Sequence, residues 1–129
     1  MVITPRILLA DDSPIVHEAV VRVAQERGYE IISALSGRDV HPTAIVLQPE
    51  LIVLDLTFPD ADGRDILARL KADVRTEHIP VLVWSGHKSE SDRMIAIGLG
   101  AEDYVEKAPA QTLMTKIQRV LFRLEGTSS

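Results

Sequence analysis

The sequence predicts a doubly wound α/β domain, and three observations carry that reading. Short apolar runs of strand length alternate about five times with segments of helical period. The runs are continuously apolar, as strands hidden on both faces must be, and most of them stop at a polar residue. At 129 residues, with 46% hydrophobic and 26% charged residues, the chain fits one compact domain with one core.

Ile7-Leu8-Leu9-Ala10, closed by Asp11-Asp12, is the first strand. Ser13 caps the helix that follows and Pro14 takes its first position, where a missing N–H costs nothing. Val16, Val20 and Val23 then recur at helical spacing up to Gly28. Glu30 to Leu35 is the second strand. Arg38 to Gln48 is expected to be irregular, because Pro42 would break a long helix and instead starts a shorter one. Leu51 to Leu56 forms the third strand, and Ile66, Leu67 and Leu70 mark a helix after Gly63. Val81 to Trp84 is the fourth strand. Gly98 and Gly100 fall in the short helical segment after it, each weakening a helix interior by roughly 0.8–1 kcal/mol relative to alanine. Asp103 to Glu106 is a short fifth strand, and Leu113, Ile117, Val120, Leu121 and Leu124 stripe the last helix.

Right-handed crossovers between parallel strands then imply a flavodoxin-like doubly wound five-stranded parallel sheet, order 2-1-3-4-5, with helices on both faces. Residues 1–125 are expected to form this domain, and Gly126-Thr127-Ser128-Ser129 a flexible tail.

Composition narrows the function. Against 14 basic residues stand 19 acidic ones, a net charge of −5 that gives no footprint for nucleic acid or anionic lipid. There is no cysteine, so disulfides and thiolate metal sites are excluded. No apolar run approaches the ~20 residues of a membrane span, and the start MVITPR lacks a secretory apolar core, so the expected location is cytoplasmic.

In an open parallel sheet, ligands bind beyond the carboxyl ends of the strands. Here the first strand ends in Asp11 and Asp12, the third in Asp55 and the fourth in Ser85, while Lys107 follows the fifth. Clustered carboxylates repel one another unless a cation sits among them, and all-oxygen ligation with few protein ligands favours Mg²⁺, with Mn²⁺ a substitute. A carboxylate can also attack phosphorus to form an acyl phosphate, provided the charge on the equatorial oxygens is neutralised. Asp55 is the best-placed nucleophile, because it ends the central strand and is followed by the loop from Leu56 to Gly63, where the metal can reach the Thr57 carbonyl. Asp60 and Asp62 share that loop, but their spacing suits a turn before the helix.

The segments LLADDSP, LIVLDLTFPDADG, VLVWSG and GAEDYVEKAP, in this order and spacing, resemble the receiver domains of two-component response regulators from residue 6 to about 124. The resemblance implies that Asp55 accepts phosphate, that Asp12 and Asp55 ligate Mg²⁺ with the Thr57 carbonyl, and that Asp11 acts mainly through metal-bound water. It also implies that Ser85 and Lys107 contact the phosphoryl oxygens and that Tyr104 rotates inward as Ser85 moves. The implied donor is a sensor histidine kinase or a histidine phosphotransfer protein. The output is a downstream protein target, with activation-dependent dimerisation possible, and direct contact with nucleic acid or membrane is not expected. The chain departs from the family pattern at Lys107-Ala108-Pro109, where Lys-Pro with a cis bond is usual; a cis Lys107–Ala108 bond would cost about 2.5–4 kcal/mol.

Other residues have plainer expectations. His17, His41 and His78 are read as surface or helix residues with no metal-like cluster, while His87, two positions after Ser85, can overhang the site as a modulator of water access. Trp84 is expected in the core, and Ile95, Ile97 and Leu99 partly on a signalling surface. Two other functions compete. A phosphohydrolase of the haloacid-dehalogenase type shares the strand-end Asp and the lysine but normally has a second Asp where this chain has Thr57. A pseudo-receiver would bind partners without phosphorylation, against which Asp12, Asp55, Ser85 and Lys107 all argue.

Overall fold

The computed structural model describes residues 4–86 and 89–127. Its elements run β1 Arg6–Ala10, α1 Pro14–Glu26, β2 Glu30–Ala34, a 3-10 turn Gly37–Asp39, α2 Val40–Leu47, β3 Leu51–Leu54, α3 Gly63–Ala72, β4 Val81–Ser85, α4 Glu90–Gly98, β5 Asp103–Glu106 and α5 Ala110–Thr127. The strands form one parallel sheet in the order β2-β1-β3-β4-β5, as the sequence predicts.

Strand alternation divides the apolar residues between two cores. Leu8, Ile52, Leu54, Val81 and Val83 face one side, where they meet α2, α3 and α4 through Val40, Ala44, Leu67, Leu70 and Ala96. Ile7, Leu9, Leu51, Val53, Leu82 and Trp84 face the other, against Val20, Val23 and Ala24 of α1 and Leu113, Met114, Ile117 and Val120 of α5. Every residue of β3 is buried, which explains why its sequence shows no polar alternation.

Local chemistry sets the helix ends. The Ser13 side chain accepts the Val16 N–H at 3.3 Å and Pro14 sits in the first turn of α1, an arrangement worth ~1 kcal/mol. At its far end Gly28 has φ +80°, and the Gly28 and Tyr29 N–H groups close back on Gln25 and Ala24.

Several expectations are corrected in detail. Pro42 does not start α2; the helix begins at Val40, and Pro42 falls in its first turn, where a backbone N–H has no intrahelical partner to lose. Gly100 is not inside α4 but ends it: at φ +107° it donates to Ile97 while Ala101 donates to Ala96, a paired closure that the left-handed conformation of glycine permits. β2 stops at Ala34, leaving Leu35 exposed, and β3 stops at Leu54. α5 carries the chain through Gly126 and Thr127 of the expected tail; Ser128 and Ser129 lie outside the described residues. Among the described residues no peptide bond is cis, so Lys107–Ala108 is trans.

Candidate functional site

The carboxyl edge of the sheet gathers the predicted residues because β1 and β3 end in register and β4 beside them runs on to Ser85. The Asp55 N–H donates to the Ala10 carbonyl at 2.9 Å, continuing the β1–β3 ladder and setting Asp55 beside the start of the Asp11-Asp12 turn. Asp11, Asp12 and Asp55 each offer a carboxylate oxygen within 4.8 Å of the others. Asp11 and Asp55 are buried and Asp12 is exposed, so the cluster has a dry floor and one solvent-facing wall.

Lys107 supplies the opposing charge. Its ammonium lies 2.8 Å from Asp11 Oδ2 and 2.9 Å from Asp55 Oδ2, having been brought across the sheet by β5, whose Glu106 pairs with Ser85. The Lys107 N–H donates to the Ser85 carbonyl at 2.7 Å, which locks the start of the β5–α5 loop to the end of β4. Burial pushes the Asp55 carboxyl above its ordinary value; the Thr57 N–H, at 2.9 Å from Oδ1, and Lys107 oppose that rise, and Asp11 adds to it. Burial disfavours the Lys107 ammonium, yet Asp11 and Asp55 together hold its pKa above the ordinary lysine value.

Asp12, Asp55, Thr57, Gly86 and Lys107 line an open cleft of about 420 Å³. Ser85 is buried and opens on an adjoining polar pocket that shares Thr57 and adds Asp62, Arg64 and Asp92. Tyr104, opposite Val83 on β5, is half-buried and packs against the core on the α4 side. A larger cleft, lined by Tyr29, Glu50, His78 and Leu121, lies at the opposite edge of the sheet and gathers no comparable charge.

The donor set fits a divalent ion. Three carboxylates face one ammonium, every nearby acceptor is a hard oxygen, and the chain has no cysteine to offer a thiolate. The Asp11 carboxylate is already engaged by the Ser13 N–H at 2.9 Å and by Lys107, whereas Asp12 is open to solvent.

The remaining acids of the loop are structural. Asp60 accepts the N–H groups of Gly37 and Arg38 at 2.9 and 3.0 Å, tying the loop to the 3-10 turn, and these bonds hold its carboxyl below the usual range. Asp62 caps α3 by accepting the Arg64 N–H at 2.9 Å.

Trp84 is buried in the core as expected, with the Lys107 ammonium 5.3 Å from its ring centroid. The expectation for His87 lies outside the described residues. His41 pairs with Asp73 at 2.9 Å and His78 with Gln48 at 3.1 Å, both away from the site. His17 is a helix residue, one of the two expectations for it, but it does not lie at the surface. It is buried, with Nε2 at 2.7 Å from the Asp11 carbonyl oxygen and Nδ1 at 2.8 Å from Ser33 Oγ. Its position one turn past Ser13, on the same face as Val20 and Ala24, was the available signal.

The family model for the response regulator receiver domain matches residues 7–118. The chain is 34% identical over 122 residues to the DNA-binding dual master transcriptional regulator RpaA of a Synechocystis species, covering 94% of this chain and 51% of that protein. It is 36% identical over 118 residues to a protein-glutamate methylesterase/protein-glutamine glutaminase of Anaeromyxobacter dehalogenans, covering 90% of this chain and 34% of that one. The chain thus spans about half the length, or less, of these curated relatives. Among solved structures, the signal receiver domain of a Vibrio parahaemolyticus repressor protein superposes with a TM-score of 0.86 at 30% identity, covering 98% of this chain and 96% of that one. The chemotaxis response regulator CheY4 of Vibrio cholerae gives 0.84 at 24% identity over 92% and 99%, a likeness of fold.

Proposed function

The chain belongs to the response-regulator receiver family, and from that membership we propose that it is a phosphorylation switch whose acceptor is Asp55. The observation that carries this reading is the setting of Asp55. It is a buried carboxylate at the end of the central strand, with an ammonium 2.9 Å from one oxygen and two further carboxylates beside it.

Asp12 and Asp55 would hold Mg²⁺, or Mn²⁺ in its place, together with the Thr57 carbonyl, and Asp11 would act through metal-bound water. The bound ion supplies charge neutralisation for phosphoryl transfer. One Asp55 oxygen attacks the phosphorus of a phosphohistidine on a histidine kinase or phosphotransfer protein. The new O–P bond replaces the N–P bond, and the donor imidazole leaves with the electron pair and takes up a proton. Burial keeps bulk water from the acceptor, while Lys107, already against Asp55, follows the developing negative charge. The new group carries roughly −2 charge, which Lys107 and the Ser85 hydroxyl contact, and Tyr104 and α4 move with Ser85. The altered α4–β5 surface then changes the affinity of a downstream protein or of a second copy, in the cytoplasm. The occupation of the position two residues after Asp55 by Thr57 favours this reading over a hydrolase of the dehalogenase type.

The test is intact-mass analysis after incubation with acetyl phosphate and Mg²⁺. The expected result is a gain of one phosphoryl group in the wild type and none in Asp55→Asn. Undiminished labelling of the variant, or no labelling of the wild type with any phosphodonor, overturns the assignment.

A further inference from the structure

We propose that His17 is a positioning residue for the metal site, fixing the main chain from which Asp11 and Asp12 project. The inference rests on the reading of Asp11, Asp12 and Asp55 as the metal-binding cluster and adds to it a residue outside the cluster.

The β1–β2 ladder ends at this point. The Asp11 N–H donates to the Ala34 carbonyl at 3.1 Å, one step past the last paired residues Ala10 and Ala34, and β2 then stops. In a longer parallel ladder the Asp11 carbonyl would accept the next N–H of β2. Here that oxygen is met by His17 Nε2 at 2.7 Å. A carbonyl can only accept, so Nε2 carries the proton, and in the neutral ring Nδ1 accepts from the Ser33 hydroxyl at 2.8 Å. The imidazole thus spans from β2 to the turn after β1, with 6% of its surface exposed.

Three polar groups of Asp11 are hydrogen-bonded and the fourth, Oδ2, is met by an ion pair. Its N–H goes to Ala34, its carbonyl to His17, Oδ1 to the Ser13 N–H at 2.9 Å and Oδ2 to Lys107 at 2.8 Å. The peptide plane between Asp11 and Asp12 is therefore held from the β2 side and the α1 side at once. Asp12, exposed to solvent, inherits its direction from that plane. Groups that orient metal ligands without touching the ion commonly change affinity 10–100-fold when removed.

The experiment compares the wild type with His17→Leu, His17→Gln and Ser33→Ala, reading free Mn²⁺ by electron paramagnetic resonance and thermal melting in parallel. A glutamine amide nitrogen can reach the place of Nε2, whereas leucine offers no donor. The expected result is a 10-fold or greater loss of Mn²⁺ affinity in His17→Leu, retention within about threefold in His17→Gln, and a smaller loss in Ser33→Ala. With acetyl phosphate as donor, His17→Leu should raise the half-saturating Mg²⁺ concentration and leave the rate at saturating Mg²⁺ close to that of the wild type.

Unchanged Mn²⁺ affinity in a folded His17→Leu overturns the proposal, as does a His17→Gln protein that stays folded but loses as much affinity as the leucine variant. Should the leucine variant fail to fold, the glutamine variant and Ser33→Ala decide by the same readings. A wild-type protein that binds no Mn²⁺ overturns the metal-site reading itself, and so is distinguished from a failure confined to His17.

Discussion

The Lys107 ammonium lies 2.9 Å from Asp55 Oδ2, so the proposed acceptor carboxylate is already paired with the cation that would meet a phosphoryl group there. Lys107→Met keeps the unbranched stem of the side chain and deletes the charge. The expected cost is about 1–3 kcal/mol of stability without metal, since buried Asp11 and Asp55 lose a shared counter-ion whose own partial exposure tempers the effect. Mg²⁺ should raise the melting temperature of the variant more than that of the wild type. Because the ammonium is 5.3 Å from the Trp84 ring, tryptophan fluorescence should shift between the two proteins.

Asp55→Asn tests the electrostatics of burial. Asp55 has a raised folded-state pKa, so the fold favours its protonated form, and that contribution is present at acid pH and lost as pH rises through the raised value. The variant should therefore melt at or above the wild-type temperature near neutral pH in chelator. The gap between them should narrow as pH falls toward 4, which paired thermal melts measure.

Asp103 carries the opposite sign. Burial raises its carboxyl pKa, but the Lys116 ammonium at 2.8 Å and the Tyr104 N–H outweigh that and hold it below the usual range. Its contribution is present above the unfolded value of 3.8 and disappears as pH falls through the lower folded value. Asp103→Asn should cost about 0.2–1 kcal/mol at neutral pH and flatten the acid limb of a stability curve below pH ~4.

Two glycines should respond in opposite directions. A Cβ on Gly63 would sit 2.3 Å from Leu56 Cα and 2.7 Å from its carbonyl oxygen, so Gly63→Ala must displace backbone at the entrance to α3 and should cost about 3 kcal/mol or more. Gly98 has open space around it within α4, and Gly98→Ala should stabilise by about 0.5–1 kcal/mol. Urea unfolding of both variants checks the pair.

The sheet order and the gathering of the candidate site residues were readable because they rest on patterns spanning the chain. The runs of β1, β3 and β4 show burial on both faces, and polar residues at their ends mark the candidate edge. What escaped was local or tertiary. Pro42 was taken for a helix start because propensity does not distinguish the first helical position from the third, where its missing N–H is equally harmless. Gly100 was counted against α4, although a glycine two residues past a helix end often terminates it. His17 was missed for a different reason: its partners, Ser33 and the Asp11 carbonyl, meet only when β1 and β2 pair, and no spacing in the chain announces a bond to main chain.

Helical burial is uneven around the sheet. α1 and α3 each bury four residues, whereas α4 buries only Ala96 and leaves Met94, Ile95 and Ile97 exposed. The domain is thus firmly packed around the candidate site and loosely moored at α4. A disturbance at Asp55 meets an unyielding β3 and finds its least resistance in α4, which Ala96 alone among its buried residues holds to the core. Amide hydrogens of α4 should exchange faster than those of α1 even in the resting protein, so the mobility that the proposed switch requires would already exist in the ground state.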